Sequence, residues 1–401
     1  MTGPLSGIKV VELAIWLAGP AAGAMLADWG ADVIKIEPPE GDPFRALSMG
    51  SRELGRGEVN PMFHVDNRGK RGVALDLKKP RGLEIAYEMV AGADVFLTNM
   101  RVPSLEKMKM DYESLKQVNR RLVYTILTGY GLAGPDRDKA GYDVGSYWAR
   151  AGVAFETMGP DAEPLFRAGG IGDHNTAVAA VAGTCAALNA RHSTGEGQLV
   201  ATSLMRMGTY YLSSPMFTAL RGIRTPPVTR EKSFNVAINC YRDSERKWFW
   251  LLGLQGDRAW PGLMRAIGRP ELIGDPRYES HSKRYQHARD LVAMLDQIFA
   301  TKTLSEWGAI FDREDVWWCP VQSAAELMND PQAEGAGLFV DVPKPEGGVM
   351  RQPAGPVDFY GTPWRSRSVA PEFGQDTETV LLEMGRSWED IAQLKSEGVI
   401  P

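Results

Sequence analysis

The segment "GGIGDHNTAVAAVAGT", residues 169–184, holds the most suggestive chemistry in the chain. Asp173 follows Gly172 and leads into His174, Asn175 and Thr176, ahead of an alanine-rich run with helical period. An aspartate at such a place has two readings. It can cap the helix, its carboxylate accepting from first-turn N–H groups. Alternatively Asn175 does the capping and Asp173 is free. Its carboxylate then stays ionised in the positive field of the helix N-terminus. An ionised carboxylate is what nucleophilic acyl transfer requires, and Gly172 beside it is expected to leave room for a bulky group. The residues by themselves leave both readings open.

Cations near strand ends form a second set. Lys78 follows the β-branched run "GVALDL" (72–77), and Arg101 follows "DVFLTN" (94–99). In open parallel sheets ligands bind beyond the carboxyl ends of the strands. Lys78 and Arg101 therefore suit a phosphorylated ligand, and a solvated surface accounts for them equally well. Glu37 ends a strand where a ribose-binding acid would stand. However, the preceding turn reads "LAGPAAG", and Pro20 occupies a place where N–H groups should face a pyrophosphate. An NAD(P)-dependent oxidoreductase is thus the remoter alternative. No GxxxxGK[ST] loop and no GxSxG elbow occurs. The five histidines (64, 174, 192, 281, 287) show no metal-ligand spacing, so no metal is expected.

These residues need a parallel sheet to bring them together, and the pattern supplies one. "GIKVVEL" (7–13) and "ADVIKIEPP" (31–39) read as strands flanking a helix over 21–30, a βαβ unit. Pro20 suits the first position of that helix. The alternation continues with strands at 72–77, 94–99 and 122–131. Helices are expected at 79–93, around 103–118, at 144–156 and at 176–198, and a strand then a helix over 199–212. The fold class is α/β. A large domain spans 1–212, and 213–235, with Pro215, Pro226 and Pro227, reads as a linker. A smaller α/β domain spans 236–330 around the strand 247–254. Residues 331–375 read as a second linker, and 376–401 as closing helices.

Composition narrows the function classes. The 401 residues carry 45 basic and 50 acidic side chains, a net charge of −5, which argues against a nucleic-acid binder and an anionic membrane surface. Cys185, Cys240 and Cys319 form no CxxC pair, which points to a reducing compartment. Lys9 and Glu12 interrupt the apolar N-terminal stretch, so it is not read as a signal peptide. A soluble, cytoplasmic protein is expected.

Taken in order, "PLSGIKVVELAIWLAGPAAGAMLADWGADVIKIEPPEGDPFR", "GKRGVALDLKKPRG", "ADVFLTNMRVPSLEKM", "LTGYGLAGPDRDKAGYD" and "GDHNTAVAAVAGTCAALNARHSTGEGQ" resemble the family III CoA-transferases. That superfamily includes formyl-CoA:oxalate and carnitine CoA-transferases and α-methylacyl-CoA racemase. The resemblance is dense over 4–205 and continuous in "GDPRY" (274–278), "VWWCPVQSAAELMNDPQ" (316–332) and the tail. It implies a Rossmann-like large domain, long linkers, a small domain and an interlocked homodimer with the active site between subunits. It implies that Asp173 is the nucleophile, which leaves the capping of the helix to Asn175. Coenzyme A enters as the thioester substrate rather than as a resident cofactor, and the partners are an acyl-CoA donor and a carboxylic acid acceptor. The matching positions for CoA are Leu75, Lys78, Asn99, Met100, Arg101, Lys139 and Tyr142, with Leu75 and Met100 set against the adenine. Trp16 and Leu17 fall at the acyl site and hint at an apolar acyl group, and backbone N–H groups near them are candidate oxyanion donors.

The departures carry information too. The family often has an arginine where this chain has Pro38, so that phosphate contact is missing or supplied by Arg45. The oxalate-type enzyme has a glutamine where this chain has Leu17, which speaks against oxalate. The racemases place a histidine where this chain has Tyr142. Racemisation needs that second base, so transfer is favoured over a racemase or a lyase of the same superfamily. A non-catalytic CoA binder is a further alternative.

Overall fold

The computed structural model describes residues 3–47, 60–159, 162–164, 169–223 and 229–401. The chain forms two compact units: Met1–Glu156 with Pro164–Ile223 and Gly337–Pro401, and Thr157–Glu163 with Arg224–Ala336.

The first unit is built on six parallel strands: β1 (Lys9–Leu13), β2 (Asp32–Glu37), β3 (Arg71–Ala74), β4 (Val95–Thr98), β5 (Val123–Thr128) and β6 (Leu199–Ser203). Their order is β3-β2-β1-β4-β5-β6, with every neighbouring pair parallel. This is the doubly wound order, whose topological switch point lies between β1 and β4. The loops that leave those two strands open the crevice in which such sheets bind ligands.

Helix α1 (Ala18–Asp28) follows β1 and is buried along its whole length. It begins three residues earlier than its sequence pattern suggests. Pro20 is accommodated inside the first turn, where backbone N–H groups have no intrahelical acceptor anyway. Helix α2 (Pro61–Asn67) is capped by Asn60, whose Oδ1 accepts from Met62 N at 3.0 Å. Short helices over Pro80–Ala91, Val102–Met108 and Tyr112–Val118 cover one face of the sheet, and Ile85, Met89, Leu105 and Leu115 pack there with Phe96 and Tyr124.

The long helix α3 (Ile171–Thr194) lies on the other face with α1. Its buried positions, Thr176, Ala177, Ala180, Val181, Thr184, Ala187, Leu188 and Arg191, recur at helical spacing. Most are small, which lets α3 approach the sheet closely. The threonine pair in that seam is satisfied: the Thr125 and Thr184 hydroxyls meet at 2.7 Å, and Thr184 also donates to Ala180 O.

Several segments differ from the sequence reading. α3 starts at Ile171, not at 176, so Asp173 lies within its first turn and Asn175 does not cap it. Residues 144–156, expected as one helix, are a π-helix over Asp143–Arg150 followed by an α-helix over Val153–Thr157. Residues Ser213–Leu220, placed in a linker, are helical. Pro226 and Pro227 lie outside the described residues. The second stretch read as a linker contains an antiparallel hairpin, Phe339–Pro343 paired with Val349–Pro353. Its Arg351/Gln352 alternation was too short and too polar to show a period.

The second unit has a three-stranded antiparallel sheet of Ile238–Arg242, Trp248–Leu252 and Trp318–Pro320. Helices supply Trp260, Leu291, Leu295, Phe299, Trp307 and Phe311 to its core. Among the described residues no helix is long and apolar enough to cross a membrane.

Candidate active site

At the switch point the loop after β1 and the loop after β4 are stitched together by one side chain. Asn99 Oδ1 accepts from Ile15 N at 3.0 Å, and Asn99 Nδ2 donates to Ile15 O at 2.6 Å. The next residue, Trp16, has φ of 65°, a left-handed conformation that costs a non-glycine residue about 1–2 kcal/mol. Asp42 holds it there, accepting the Trp16 N–H at 3.1 Å. That N–H is therefore committed to Asp42 and is not a spare oxyanion donor.

Asp42 belongs to a fully buried quartet of charges. Lys35 Nζ lies 2.9 Å from Asp42 and 3.3 Å from Glu12, and Lys70 Nζ lies 2.7 Å from Glu12; all four side chains have no exposed surface. The two ammonium groups also grip the loop after β1. Lys35 donates to Ala14 O and Lys70 to Pro20 O, so the loop bearing Trp16 and Leu17 is bracketed at both ends.

An open cleft of about 740 Å³ lies above these loops. It is lined by Trp16, Leu17, Asn99, Met100, Arg101, Tyr142 and Asp173, together with Phe44, Leu47, Met62, Val144 and Leu204. Trp16 meets Tyr142 edge-to-face at 6.3 Å and Phe44 at 6.4 Å. Among the described residues, Arg101 is the one cationic side chain on the lining. It stands at the start of the helix Val102–Met108, exposed.

Three sequence candidates are not on the lining. Leu75 is wholly buried in the core and presents no side-chain face to an adenine. Lys78 and Lys139 are exposed, each beside an acid: Glu40 at 3.4 Å and Asp136 at 2.6 Å. Arg45 does not replace the arginine absent at Pro38. It is bound to Glu37 through two hydrogen bonds of 2.8 and 2.6 Å and to Pro371 O. The same pair closes Glu37 to a ribose, since that carboxylate has no exposed surface.

Asp173 forms part of the cleft wall from the first turn of α3 and is nine-tenths buried. Among the described residues none donates a hydrogen bond to its carboxylate. Its pKa is pushed up to about 7, mainly by burial and then by the Asp143 carboxylate, with His174 opposing. The expectation that the helix field alone keeps it ionised is corrected by this environment. Burial and a neighbouring carboxylate outweigh a helix-end effect of about 0.3–1 kcal/mol.

Asp143 and His174 complete the surroundings. Asp143 opens the π-helix and accepts Gly172 N at 2.9 Å and Trp148 Nε1 at 3.3 Å. It thereby fixes the first turn of α3. Gly172 is packed rather than open, because an added Cβ would collide with the Asp143 carboxylate and the Tyr147 ring. His174 contacts Gly170 O through Nδ1 and Asp66 Oδ1 through Nε2, both at 2.9 Å. Asp143 and His174 were readable only as neighbours of Tyr142 and Asp173. Asp66 gave no signal at all, being 108 positions from His174 in sequence.

Among the described residues no cluster of His, Cys, Asp and Glu could hold a metal. The fold and cleft define an α/β protein in which two carboxylates, Asp143 and Asp173, line a largely apolar crevice with a single cationic side chain among the described residues. The sequence profile of the family described as CoA-transferase family III matches residues 5–377. The (R)-2-hydroxy-4-methylpentanoate CoA-transferase of Clostridioides difficile is 34% identical over 396 residues, 99% of each chain. The cinnamoyl-CoA:phenyllactate CoA-transferase of Clostridium sporogenes is 33% identical, over 99% of this chain and 97% of its own. The crystal structure of a CAIB/BAIF family protein from Brucella suis superposes with a TM-score of 0.85 at 30% identity, covering 96% of this chain and 100% of that one. The chain belongs to CoA-transferase family III, and it is an enzyme that moves CoA between acyl-CoA thioesters and carboxylic acids.

Proposed function

We propose that transfer runs through Asp173. Its carboxylate oxygen attacks the thioester carbonyl carbon, the C–S bond breaks, and CoA leaves as the thiolate. The product is an acyl–aspartyl anhydride. The thiolate then attacks the aspartyl carbonyl of the anhydride, releasing the donor acid and leaving an aspartyl-CoA thioester. The acceptor carboxylate attacks that thioester, CoA thiolate leaves again, and a second anhydride forms. The thiolate attacks its acyl carbon, and the new acyl-CoA departs with the Asp173 carboxylate restored. One exchange between poor partners becomes four steps with activated intermediates. The observation that carries this reading is the placement of Asp173. It lies at the cleft wall where the Trp16–Leu17 loop, Asn99–Arg101 and α3 converge.

Arg101 is the phosphate contact nearest the cleft, with Asn99 and Met100 beside it. Lys78 and Lys139 serve only the outer, adenine-phosphate end of CoA. The apolar share of the cleft lining, which includes Trp16, Leu17, Phe44, Leu47, Met62, Val144 and Leu204, favours an apolar monocarboxylic acyl group. The two relatives named for (R)-2-hydroxy-4-methylpentanoate and for cinnamoyl-CoA and phenyllactate support that class. The working form is a homodimer, consistent with exposed Tyr210, Tyr211, Phe217 and Leu220 on neighbouring helices. Light scattering on the purified chain tests this, and a monomer at micromolar concentration refutes it.

The substrate class is tested with a panel of branched, aryl and dicarboxylic acyl-CoAs and acids. Burying one branched or aryl side chain gains about 1.5–3 kcal/mol, so apolar acyl groups should lead succinyl or glutaryl ones by at least about tenfold in kcat/KM. Equal or better dicarboxylate turnover contradicts the assignment.

A further inference from the structure

His174 stands on the turn that carries Asp173, and both its ring nitrogens are engaged. Nδ1 is 2.9 Å from Gly170 O and Nε2 is 2.9 Å from Asp66 Oδ1. A carbonyl oxygen and a carboxylate oxygen only accept. A neutral imidazole has one N–H and can serve only one of them, so both contacts are satisfied as hydrogen bonds only by the imidazolium. Asp66 needs such a partner. Its side chain is 2% exposed, and its second oxygen, Oδ2, has no hydrogen bond. An unpaired carboxylate in that position is costly. Asp66 is itself fixed, because Lys70 Nζ donates to its backbone carbonyl at 2.9 Å and ties the end of α2 to the buried quartet.

The charges facing Asp173 are then two anions, Asp143 from the π-helix and Asp66 from α2, and one cation, His174 from its own helix. Three carboxylates in one buried corner resist being ionised together.

We propose that His174 is a positioning residue for the transfer reaction: clamped between Asp66 and the Gly170 carbonyl, its fixed positive charge holds the Asp173 carboxylate in the ionised form that attacks the thioester. The proposal rests on the reading of Asp173 as the nucleophile. Asp173 gives up its charge on acylation and regains it at the end of the cycle, while the Asp66–His174 pair keeps its own. The field is therefore set before reaction and needs no reorganisation. The shifts agree in direction: hydrogen bonding to Asp66 pushes His174 up to about 9, and the residual push on Asp173 leaves it at about 7.

The test is the pH profile of kcat/KM for the acyl-CoA donor, which reports groups of the free enzyme. The wild-type acid limb is expected near pH 7. In His174→Gln, which keeps a donor toward Asp66 but no charge, the limb should move up by about one unit or more. That is about a fivefold loss at pH 7, recovering toward wild type near pH 9, with unchanged CoA affinity by calorimetry. His174→Lys, which restores a cation, should return the limb toward 7. An unshifted limb in His174→Gln, or a loss independent of pH, overturns the proposal. Titration of ¹⁵N-histidine-labelled wild-type protein by NMR gives a second readout that needs no variant. His174 should remain imidazolium at pH 7.5, and a neutral ring there also overturns the proposal. Hydroxylamine capture on wild-type Asp173 separates the two claims. Capture with an unshifted limb removes only the role of His174, and failure of capture during turnover removes the reading beneath it.

Discussion

Glu12, Lys35, Asp42 and Lys70 are two anions and two cations with no exposed surface, so the quartet is neutral as a unit. Glu12→Gln removes one negative charge: Lys35 keeps Asp42, and Lys70 loses its ion-pair partner inside the protein. Removing one member of a buried pair costs about 3–5 kcal/mol, most of it from the charge left behind. Lys70→Met should cost a similar amount for the opposite reason. The double variant removes one charge of each sign and leaves Lys35 paired with Asp42 at 2.9 Å. Its cost should therefore fall well below the sum of the single ones, giving a coupling of at least about 2 kcal/mol. Urea unfolding at pH 7, with hydrogen exchange followed on the β1 amides, measures the three variants. Burial pushes Lys70 down to about 8, with the Glu12 carboxylate opposing. Because Lys35 and Lys70 bracket the loop from Ala14 to Pro20, the single variants should also raise KM for acyl-CoA. A single-variant cost under about 1 kcal/mol, or strict additivity in the double variant, refutes the reasoning.

Gly172→Ala should destabilise by about 1–3 kcal/mol, the usual cost of overpacking. It should also lower transfer sharply, because the new methyl displaces Asp143 and Tyr147; unfolding and turnover assays check both. Arg101→Ala should weaken CoA binding measured by calorimetry by about 1.5–3 kcal/mol if its guanidinium meets a phosphate, while Lys139→Ala, exposed beside Asp136, should change it far less. Folding raises the His174 pKa from 6.5 to about 9. The stability contributed by its pairing is therefore complete below about pH 6.5 and is lost as pH rises through about 9. The Tm difference between wild type and His174→Gln should shrink over that range, and a constant difference contradicts the pairing.

How much of this was legible in the sequence depends on which residues carried the signal. β1, β2, β4 and β5 announce themselves as β-branched runs, and their alternation with helical stretches implies a parallel sheet. The role of Lys35 and Glu12 is not legible locally, for a physical reason. In an antiparallel surface strand they would mark the wet face, but central parallel strands are covered on both faces, so here they become a buried ion network. The start of α3 is hidden by composition. "GGIGDHN" looks like a turn followed by caps, yet Gly170 enters the helix from the left-handed region with φ of 64°, and Gly172 is required by close packing. Asp173 was visible as a candidate carboxylate, and the ordered motifs gave it a role. What tunes it, Asp143 and the Asp66–His174 pair, depends on packing between α2, the π-helix and α3 that no local pattern encodes. Leu75 shows the converse: a residue placed at the ligand by motif alone turns out to be core.

Covalent capture tests Asp173 as the nucleophile most directly. Wild-type protein is incubated with a branched-chain or aryl acyl-CoA and quenched with hydroxylamine or borohydride, and the modified peptide is located by mass spectrometry. Modification is expected at Asp173 alone, with its loss in Asp173→Asn, a variant that still binds CoA but transfers nothing. Turnover by wild type with Asp173 unmodified, or transfer retained by Asp173→Asn, contradicts that role.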